Sequence, residues 1–299
     1  MLSRPMPSPT TIDAARASAA RGGLFPYDRW LPELTSLASR FRAAEPYPHV
    51  VLEQFLEPRL AEACLKEFPA RGDASWKSYT HVNERKFGRS DQGRFPPTLR
   101  ALIAELSSAR FLRWLEALTG IDGLIADDAL MGGGLHQSGN GGFLNVHADF
   151  TGHPHHDRWR RRVNLLLYLN PSWQEAYGGQ LELWDKQMTR PVQTVSPLMN
   201  RALIFNTDPD SFHGHPTPMT CPEEFVRRSI ALYYFTDEKG AFCARSTEYR
   251  ARPGDGARAA AIYLDQMVLR GYDKVKRTFR VNDDFASRLL HLLDGRRKH

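Results

Sequence analysis

The segment Gly142-Phe-Leu-Asn-Val-His147-Ala-Asp149 contains the pattern that decides the fold. It predicts a short β-strand, because Gly, Asn and Asp residues mark the ends of such strands. Side chains two residues apart on a strand point to the same face. His147 and Asp149 would therefore direct a nitrogen and an oxygen ligand toward one spot. A His-x-Asp pair alone is weak evidence, since many exposed loops contain one by chance.

A second histidine completes a set of metal ligands. The stretch Ser211-Phe-His213-Gly follows the predicted strand Arg201–Asn206. His213 is the preferred third ligand because of this Ser-x-His-Gly context, and His215 is its rival because it would share the same face of an extended segment. Two histidines and one carboxylate leave three positions of a metal ion open, which suits non-haem Fe(II) that handles O2.

A buried cation is predicted on the strand Arg227-Arg-Ser229-Ile-Ala-Leu-Tyr-Tyr-Phe235. Alternation places Arg227 and Ser229 on one face and Arg228 on the other. An inward arginine in a β core is costly unless a carboxylate meets it. A guanidinium fork fits the distal carboxylate of 2-oxoglutarate, and the Tyr168 hydroxyl could bind the same carboxylate.

The fold class follows from the pattern of apolar and turn-forming residues along the chain. From about residue 128 to 236, short β runs are separated by Gly, Pro, Asn and Asp, which indicates a sandwich or barrel. Apolar positions at helical spacing predict flanking helices over 57–68, 96–118 and 257–293. The predicted strands are Gly142–Asp149, Arg162–Leu169, Gly179–Trp184, Arg201–Asn206 and Arg227–Phe235. We therefore expect a mainly β fold with flanking helices (α+β).

Composition and the predicted helices and strands divide the chain into four regions. Residues 1–23 are predicted to be a disordered or loosely ordered tail, and 24–127 an N-terminal support region of helices and strand. Residues 128–236 are the β core that carries the candidate site, and 237–299 are a basic helical extension. We expect 24–299 to form one domain, because no long low-complexity linker interrupts it.

The motifs follow one another in a recognisable order. They are Gly139-Asn-Gly-Gly-Phe-Leu-Asn-Val-His147-Ala-Asp149, Asn164-Leu-Leu-Leu-Tyr168-Leu-Asn170-x-x-Trp173, Gly178-Gly179-x-Leu181, Arg201-Ala-Leu-Ile-Phe205, His213 and Arg227-x-Ser229. This set resembles the prolyl 4-hydroxylase-like branch of the 2-oxoglutarate/Fe(II)-dependent oxygenases, especially its bacterial members. The resemblance implies a double-stranded β-helix core, also called a jelly roll and similar to a cupin.

The resemblance also implies roles for individual residues. Those implied in iron binding are His147, Asp149 and His213. Those implied in 2-oxoglutarate binding are Arg227, Tyr168 and Ser229. Fe(II) is the expected cofactor, and 2-oxoglutarate and O2 are the expected cosubstrates. No protein side chain beyond the metal centre is expected to act as a general base.

Two departures from the family pattern affect these expectations. The loop between His213 and Arg227 is long and rich in proline, which leaves Arg228 as an alternative to Arg227. Position 137 is Gln where related protein-prolyl hydroxylases tend to have a Tyr in the pocket, so the substrate of those relatives is not carried over. The residues expected to face the substrate are His136, Gln137, Asn164 and Tyr233.

The expected reaction is hydroxylation of an unactivated C–H bond, with release of succinate and CO2. A halogenase is disfavoured because Asp149 is present. Two alternatives stay open: a protein (prolyl-type) side chain instead of a small molecule as the substrate, and a non-catalytic jelly-roll binding module. A nucleic-acid demethylase ranks lower, because the single Arg-x-Ser strand comes with no evident aromatic stacking platform.

Composition bears on partners and location. The net charge of +6 lies in residues 250–299, where twelve Arg or Lys face six Asp. This extension could be a lid, a homodimer surface or a protein-docking face, and nothing favours nucleic acid over these roles. Three dispersed cysteines favour the cytoplasm. No apolar run approaches the roughly 20 residues of a membrane-spanning helix, so we expect a soluble protein with a small-molecule or peptide substrate and no membrane contact.

Overall fold

The computed structural model describes residues 23–240 and 242–267. The helices in this part of the chain are α1 (Tyr27–Trp30), α2 (Leu34–Ala43), α3 (Pro58–Glu67), α4 (Pro97–Leu106), α5 (Ala109–Thr119) and the helical residues 258–267, named α6. None of the described helices is long and apolar enough to cross a membrane. The predicted tail before Gly23 and the predicted helix beyond residue 267 lie outside the described residues.

The strands supply most of the regular structure. In chain order they are β1 (His49–Leu52), β2 (Lys77–His81), β3 (Glu84–Arg89), β4 (Leu124–Ala126), β5 (Gly134–Ser138), β6 (Phe143–Ala148), β7 (Gly152–His153), β8 (His156–Tyr168), β9 (Leu181–Trp184), β10 (Pro191–Val195), β11 (Arg201–Asn206), β12 (His213–His215), β13 (Arg227–Asp237) and β14 (Glu248–Tyr249). The strand pairings are antiparallel.

These strands form one curled sheet that is nearly closed as a barrel. Neighbouring strands follow the order β1-β11-β8-β13-β5-β3-β6-β12-β9-β10, so strands distant in sequence lie side by side. Such crossovers between antiparallel strands are typical of a jelly roll. The predicted mainly β fold with a double-stranded β-helix core and flanking helices is therefore confirmed.

Alternation along the central strands separates two faces of the sheet. The outer face packs under the helices, and its strand residues include Leu135, Leu165, Leu167, Ile230 and Leu232. The inner face has a smaller apolar cluster that includes Tyr168, Leu181, Leu183, Leu203 and Phe205. Because adjacent residues of a strand face opposite sides, the core under the helices and the interior of the barrel share the same strands.

The structure divides one predicted helix into two. The pattern over 96–118 is interrupted at Ser108, whose hydroxyl accepts a hydrogen bond of 3.2 Å from the Phe111 backbone N–H. A serine in this position caps a new helix, so α4 and α5 are separate. α5 ends at Gly120, which has a φ of 70°, a conformation that glycine adopts without strain.

A hairpin formed by β2 and β3 was not predicted. β2 pairs with β3 over the register Lys77↔Gly88 to His81↔Glu84. β3 in turn pairs with β5 on one side and with β6 on the other. The hairpin therefore closes the gap between the two halves of the sheet, next to the strand that carries His147 and Asp149.

Candidate metal centre

Three predicted ligands converge at one end of the barrel. His147 on β6 and His213 on β12 are direct partners across the two strands, and Asp149 follows the end of β6. The Asp149 carboxylate oxygens lie 3.6 Å from His147 Nε2 and 3.5 Å from His213 Nε2. Among the described residues, these three side chains form the one group whose ligand atoms, within 4.8 Å of one another, could hold a metal.

Backbone carbonyls fix the orientation of both imidazoles. His147 Nδ1 donates to the carbonyl oxygen of Asn145, and His213 Nδ1 donates to that of Ser211, each at 2.9 Å. Protonation at Nδ1 leaves the Nε2 lone pair free for a metal, as in most metal-binding histidines. Burial, followed by the neighbouring His147, lowers the pKa of His213 to about 4. The ring is therefore neutral at pH 7, as a metal ligand must be.

Asp149 is held as an anion by neighbours on β8. Its Oδ2 accepts hydrogen bonds from Arg161 Nη2 at 2.9 Å and from Asn164 Nδ2 at 2.7 Å. Burial opposes the charge, but the Arg161 guanidinium keeps the pKa of Asp149 well below its usual value. Arg161 is itself buried and packs on the Tyr233 ring, with its Cζ atom 3.4 Å from the ring centroid.

This donor set fits an octahedral Fe(II) ion. Metal bonds of about 2.1 Å place neighbouring ligand atoms about 3 Å apart, close to the separations in this site. Two imidazoles and one carboxylate on one side of the ion leave the other side open for small ligands. The rival ligand His215 is buried in the same cavity wall but lies outside the three-residue group, and its Nδ1 atom has no hydrogen-bond partner among the described residues.

A buried guanidinium lies in the same cavity. Arg227 Nε donates to the Gly179 carbonyl oxygen at 2.7 Å, and Nη2 lies 3.5 Å from the Tyr168 hydroxyl. Burial lowers the pKa of Arg227, and the described residues offer it no carboxylate partner. A buried cation without an anion is costly, so this position fits a carboxylate of 2-oxoglutarate.

Strand register decides between the two arginines. Arg227 lines the cavity, whereas Arg228 does not and donates to the Val226 carbonyl oxygen at 3.4 Å. Ser229 lines the cavity beside Arg227, as the alternation predicted. Tyr168 is fully buried behind Arg227 and is not part of the cavity lining, so in this structure it contacts the guanidinium and supports its position.

The four residues expected to face substrate have different surroundings. All of them border a cavity of about 380 Å³ beside the metal ligands. His136 pairs with Ser229, which puts its side chain on the cavity face, but Gln137 pairs with Arg228 and shares the opposite face. Asn164 uses its amide for Arg161 and Asp149. Tyr233 likewise donates its hydroxyl to the Gly132 carbonyl oxygen at 2.9 Å, so two of the four side chains are held by other parts of the protein.

Two contributions to the cavity were missed by the sequence analysis. The hairpin lines one wall with Lys77, Tyr79 and Lys86, and Arg161 contacts a metal ligand directly. The residues of β2 are exposed or half-buried and lack an apolar face, so hydrophobic periodicity did not indicate the hairpin. No signal singles out Arg161 either, because it is one of several arginines in Arg158-Trp-Arg-Arg-Arg162.

Comparisons with known proteins agree with this geometry. Residues 133–235 match the family model described as the 2OG-Fe(II) oxygenase superfamily. The prolyl 3-hydroxylase OGFOD1 of Mus musculus is 28% identical over 199 residues, which are 64% of this chain and 33% of that protein. The chain therefore aligns with only about a third of this curated relative.

The chain is also similar to solved structures. A prolyl hydroxylase from Trichoplax adhaerens, in complex with a peptide fragment of the hypoxia inducible factor oxygen degradation domain, superposes with a TM-score of 0.52 and 18% identity over 69% of this chain and 92% of that one. A Pseudomonas putida prolyl-4-hydroxylase gives a TM-score of 0.49 and 19% identity over 67% and 98%. The matched residues 133–235 contain the His-Asp-His group and Arg227, so this part of the chain is similar to the 2OG-Fe(II) oxygenases.

Proposed function

We propose that this protein hydroxylates an unactivated C–H bond in a reaction that depends on Fe(II) and 2-oxoglutarate. The observation that carries the proposal is the convergence of His147, Asp149 and His213. The Arg227 guanidinium in the same cavity supports the proposal. No described carboxylate pairs with it, so it provides a binding place for the distal carboxylate of the cosubstrate. A binding module without chemistry would not need both features.

When bound, Fe(II), 2-oxoglutarate and O2 supply the oxidising power for the reaction, with succinate and CO2 as co-products. The side chains of this protein position and shield the reactants. His147, Asp149 and His213 would hold the metal, and Arg227 would orient the cosubstrate from the cavity wall. No side chain has to remove a proton from the substrate carbon, so we assign no general base. His147 and His213 are each only 5% exposed, and this burial limits the access of water to the reacting centre.

A peptidyl prolyl side chain is the more specific candidate substrate. The similarity to the mouse prolyl 3-hydroxylase supports it. Lys77 both lines the cavity and is exposed, so the cavity opens to the surface beside β2, where a chain longer than a free amino acid could lie. A small-molecule substrate remains the alternative. Cytoplasmic location, expected from the dispersed cysteines, stays a prediction.

The first test is substrate-independent turnover of 2-oxoglutarate to succinate. Asp149→Ala removes the carboxylate ligand, so we expect turnover to fall at least about 100-fold. Lys186→Ala removes a half-exposed surface cation that pairs with Asp210 at 2.7 Å, and it should leave turnover unchanged. Full turnover by Asp149→Ala would show that the ligand assignment is wrong.

Two further measurements separate the alternatives. Anaerobic addition of Fe(II) and 2-oxoglutarate should give a weak visible charge-transfer band in the wild-type protein, and a non-catalytic module would give none. Succinate formation should then be compared with free amino acids, proline-containing peptides and lysate fractions. Stimulation by peptides alone would favour the prolyl substrate, and stimulation by free amino acids alone would exclude it.

A further inference from the structure

The outer end of the β2–β3 hairpin needs an anchor beyond the sheet. Within the described residues β2 pairs only with β3, so its other edge is free. β3 contacts β6 through two residue pairs and β5 through three. One face of this hairpin nevertheless forms a wall of the metal cavity, through Lys77, Tyr79, Glu84 and Lys86. The position of the hairpin therefore determines the shape of the cavity.

Helix α6 supplies the anchor at the turn that joins β2 to β3. Asp265 Oδ2 lies 3.0 Å from His81 Nδ1 and accepts a hydrogen bond of 2.5 Å from Asn83 Nδ2. Asn83 Nδ2 is also 3.3 Å from the carbonyl oxygen of Ile262, whose side chain is fully buried under the helix. A single carboxylate of α6 thus contacts two residues at the end of the hairpin.

The first branch from Asp265 leads to the cavity wall. His81 Nε2 lies 2.9 Å from Glu84 Oε1, and Glu84 Oε2 lies 2.8 Å from Lys86 Nζ. The charges of Asp265, His81, Glu84 and Lys86 therefore alternate in sign along a chain that ends in the cavity. Burial opposes the charge on His81, but hydrogen bonds to the two carboxylates raise its pKa to about 9. The Tyr249 ring packs at the edge of His81, with 6.4 Å between ring centroids.

The second branch leads to a metal ligand. Asn83 has no exposed surface, and its Oδ1 accepts a hydrogen bond of 3.0 Å from Asn145 Nδ2. The Asn83 carbonyl oxygen also accepts a hydrogen bond of 2.8 Å from the Asn145 backbone N–H. The carbonyl oxygen of Asn145 is the one that accepts from His147 Nδ1 at 2.9 Å. Asp265 is therefore connected to His147 by a continuous series of hydrogen bonds through Asn83 and Asn145.

We propose that Asp265 is a positioning residue that couples the docking of helix α6 both to the hairpin wall of the cavity and to the orientation of His147. The proposal rests on the assignment of His147 as a metal ligand. Outer partners that orient metal ligands contribute to metal affinity. Helix α6 therefore acts at a distance from the metal, because Asp265 itself lies outside the cavity lining.

The test compares Asp265→Asn with Asp237→Asn in the full chain. Asp237 forms an ion pair with Arg158 at an exposed position and is the matched control. Anaerobic Co(II) titration, followed by the visible spectrum of the bound ion, gives metal affinity without catalysis. Hydrogen exchange of the amides in 77–89 reports the hairpin. We expect Asp265→Asn to weaken Co(II) binding about tenfold and to speed exchange in the hairpin, with both unchanged in Asp237→Asn.

His81→Gln separates the two branches and serves as the second variant if Asp265→Asn fails to fold. It interrupts only the branch to Glu84 and Lys86, so hairpin exchange should rise while Co(II) affinity stays within about twofold of wild type. Unchanged Co(II) affinity or unchanged exchange in folded Asp265→Asn overturns the proposal, as does a tenfold loss of affinity in His81→Gln. Absence of Co(II) binding in the wild-type protein would instead contradict the metal centre itself.

Discussion

Arg227 is the residue whose charge most requires a ligand. Its guanidinium is buried, it donates to the Gly179 carbonyl oxygen, and no described carboxylate neutralises it. A bound dianion would complete its hydrogen bonds, and the forked geometry of the guanidinium allows two parallel bonds to one carboxylate. A lysine at this site would keep the positive charge but not the fork.

We therefore expect Arg227→Lys to weaken 2-oxoglutarate binding about 10- to 100-fold, the effect of losing a hydrogen bond between charged groups. Anaerobic titration of the visible band with 2-oxoglutarate gives the dissociation constant. Arg228→Lys is the control, because Arg228 lies outside the cavity lining, and it should stay within about threefold of wild type. Equal weakening by both variants would mean that the strand register does not select the binding arginine.

The arginines also show what a sequence can decide at the level of one residue. Alternation in 227–235 places Arg227 and Arg228 on opposite faces, because a strand has a period of two, and the Arg-x-Ser pattern favours Arg227 as the inward residue. The same rule cannot select Arg161 among its neighbours, since its importance depends on Asp149 and Tyr233, which come from other parts of the chain. A local sequence pattern does not indicate which distant segments of the chain will be in contact.

Among the elements, strands with an apolar face were predictable and the hairpin was not. The predicted strand Arg201–Asn206 has the bounds found in the structure, because its central residues are apolar and fully buried. The exposed and half-buried residues of β2 include Lys77 and His81, so hydrophobic periodicity gives no signal. The stability of this hairpin comes from pairing with β5 and β6 and from helix α6, which are tertiary contacts.

Gly134 is the position where β5 and β3 meet most tightly. It has a φ of 96°, and a Cβ atom there would lie 2.3 Å from the Arg89 carbonyl oxygen. We expect Gly134→Ala to destabilise the protein by about 2–4 kcal/mol, because backbone strain and the forced separation of the strands add together. Urea denaturation measures the change in the free energy of unfolding.

Gly72→Ala is the control for this prediction. Within the described part of the chain, no atom beyond its chain neighbours lies within 4 Å of the position that its Cβ would occupy, and its φ is outside the left-handed region. The free energy of unfolding should change by less than about 0.5 kcal/mol. If Gly134→Ala were equally mild, β3 would not be held against β5 as closely as the structure shows.

In the whole molecule, helix α6, the hairpin and the barrel meet at His81. Its ring nitrogens contact Asp265 of the helix and Glu84 of the hairpin, and Tyr249 of β14 packs at its edge. Lys86 neutralises the second oxygen of Glu84. The protonated imidazole is therefore stabilised by two acids only in the folded protein, and this couples folding to pH.

The sign of this coupling gives a prediction for the metal-free protein. The pKa of His81 is about 9 when folded against 6.5 in its ordinary state, so between these values only the folded state holds the proton. Stability from His81 is complete below pH 6.5 and is lost as the pH rises through 9. With solvent screening, we expect the free energy of unfolding to fall by about 1–2 kcal/mol over this window. Urea denaturation at several pH values should show this fall in the wild-type protein. The fall should be absent in His81→Gln and present in the control variant His155→Gln, which changes an exposed histidine. A wild-type protein without this fall would contradict the His81 contacts.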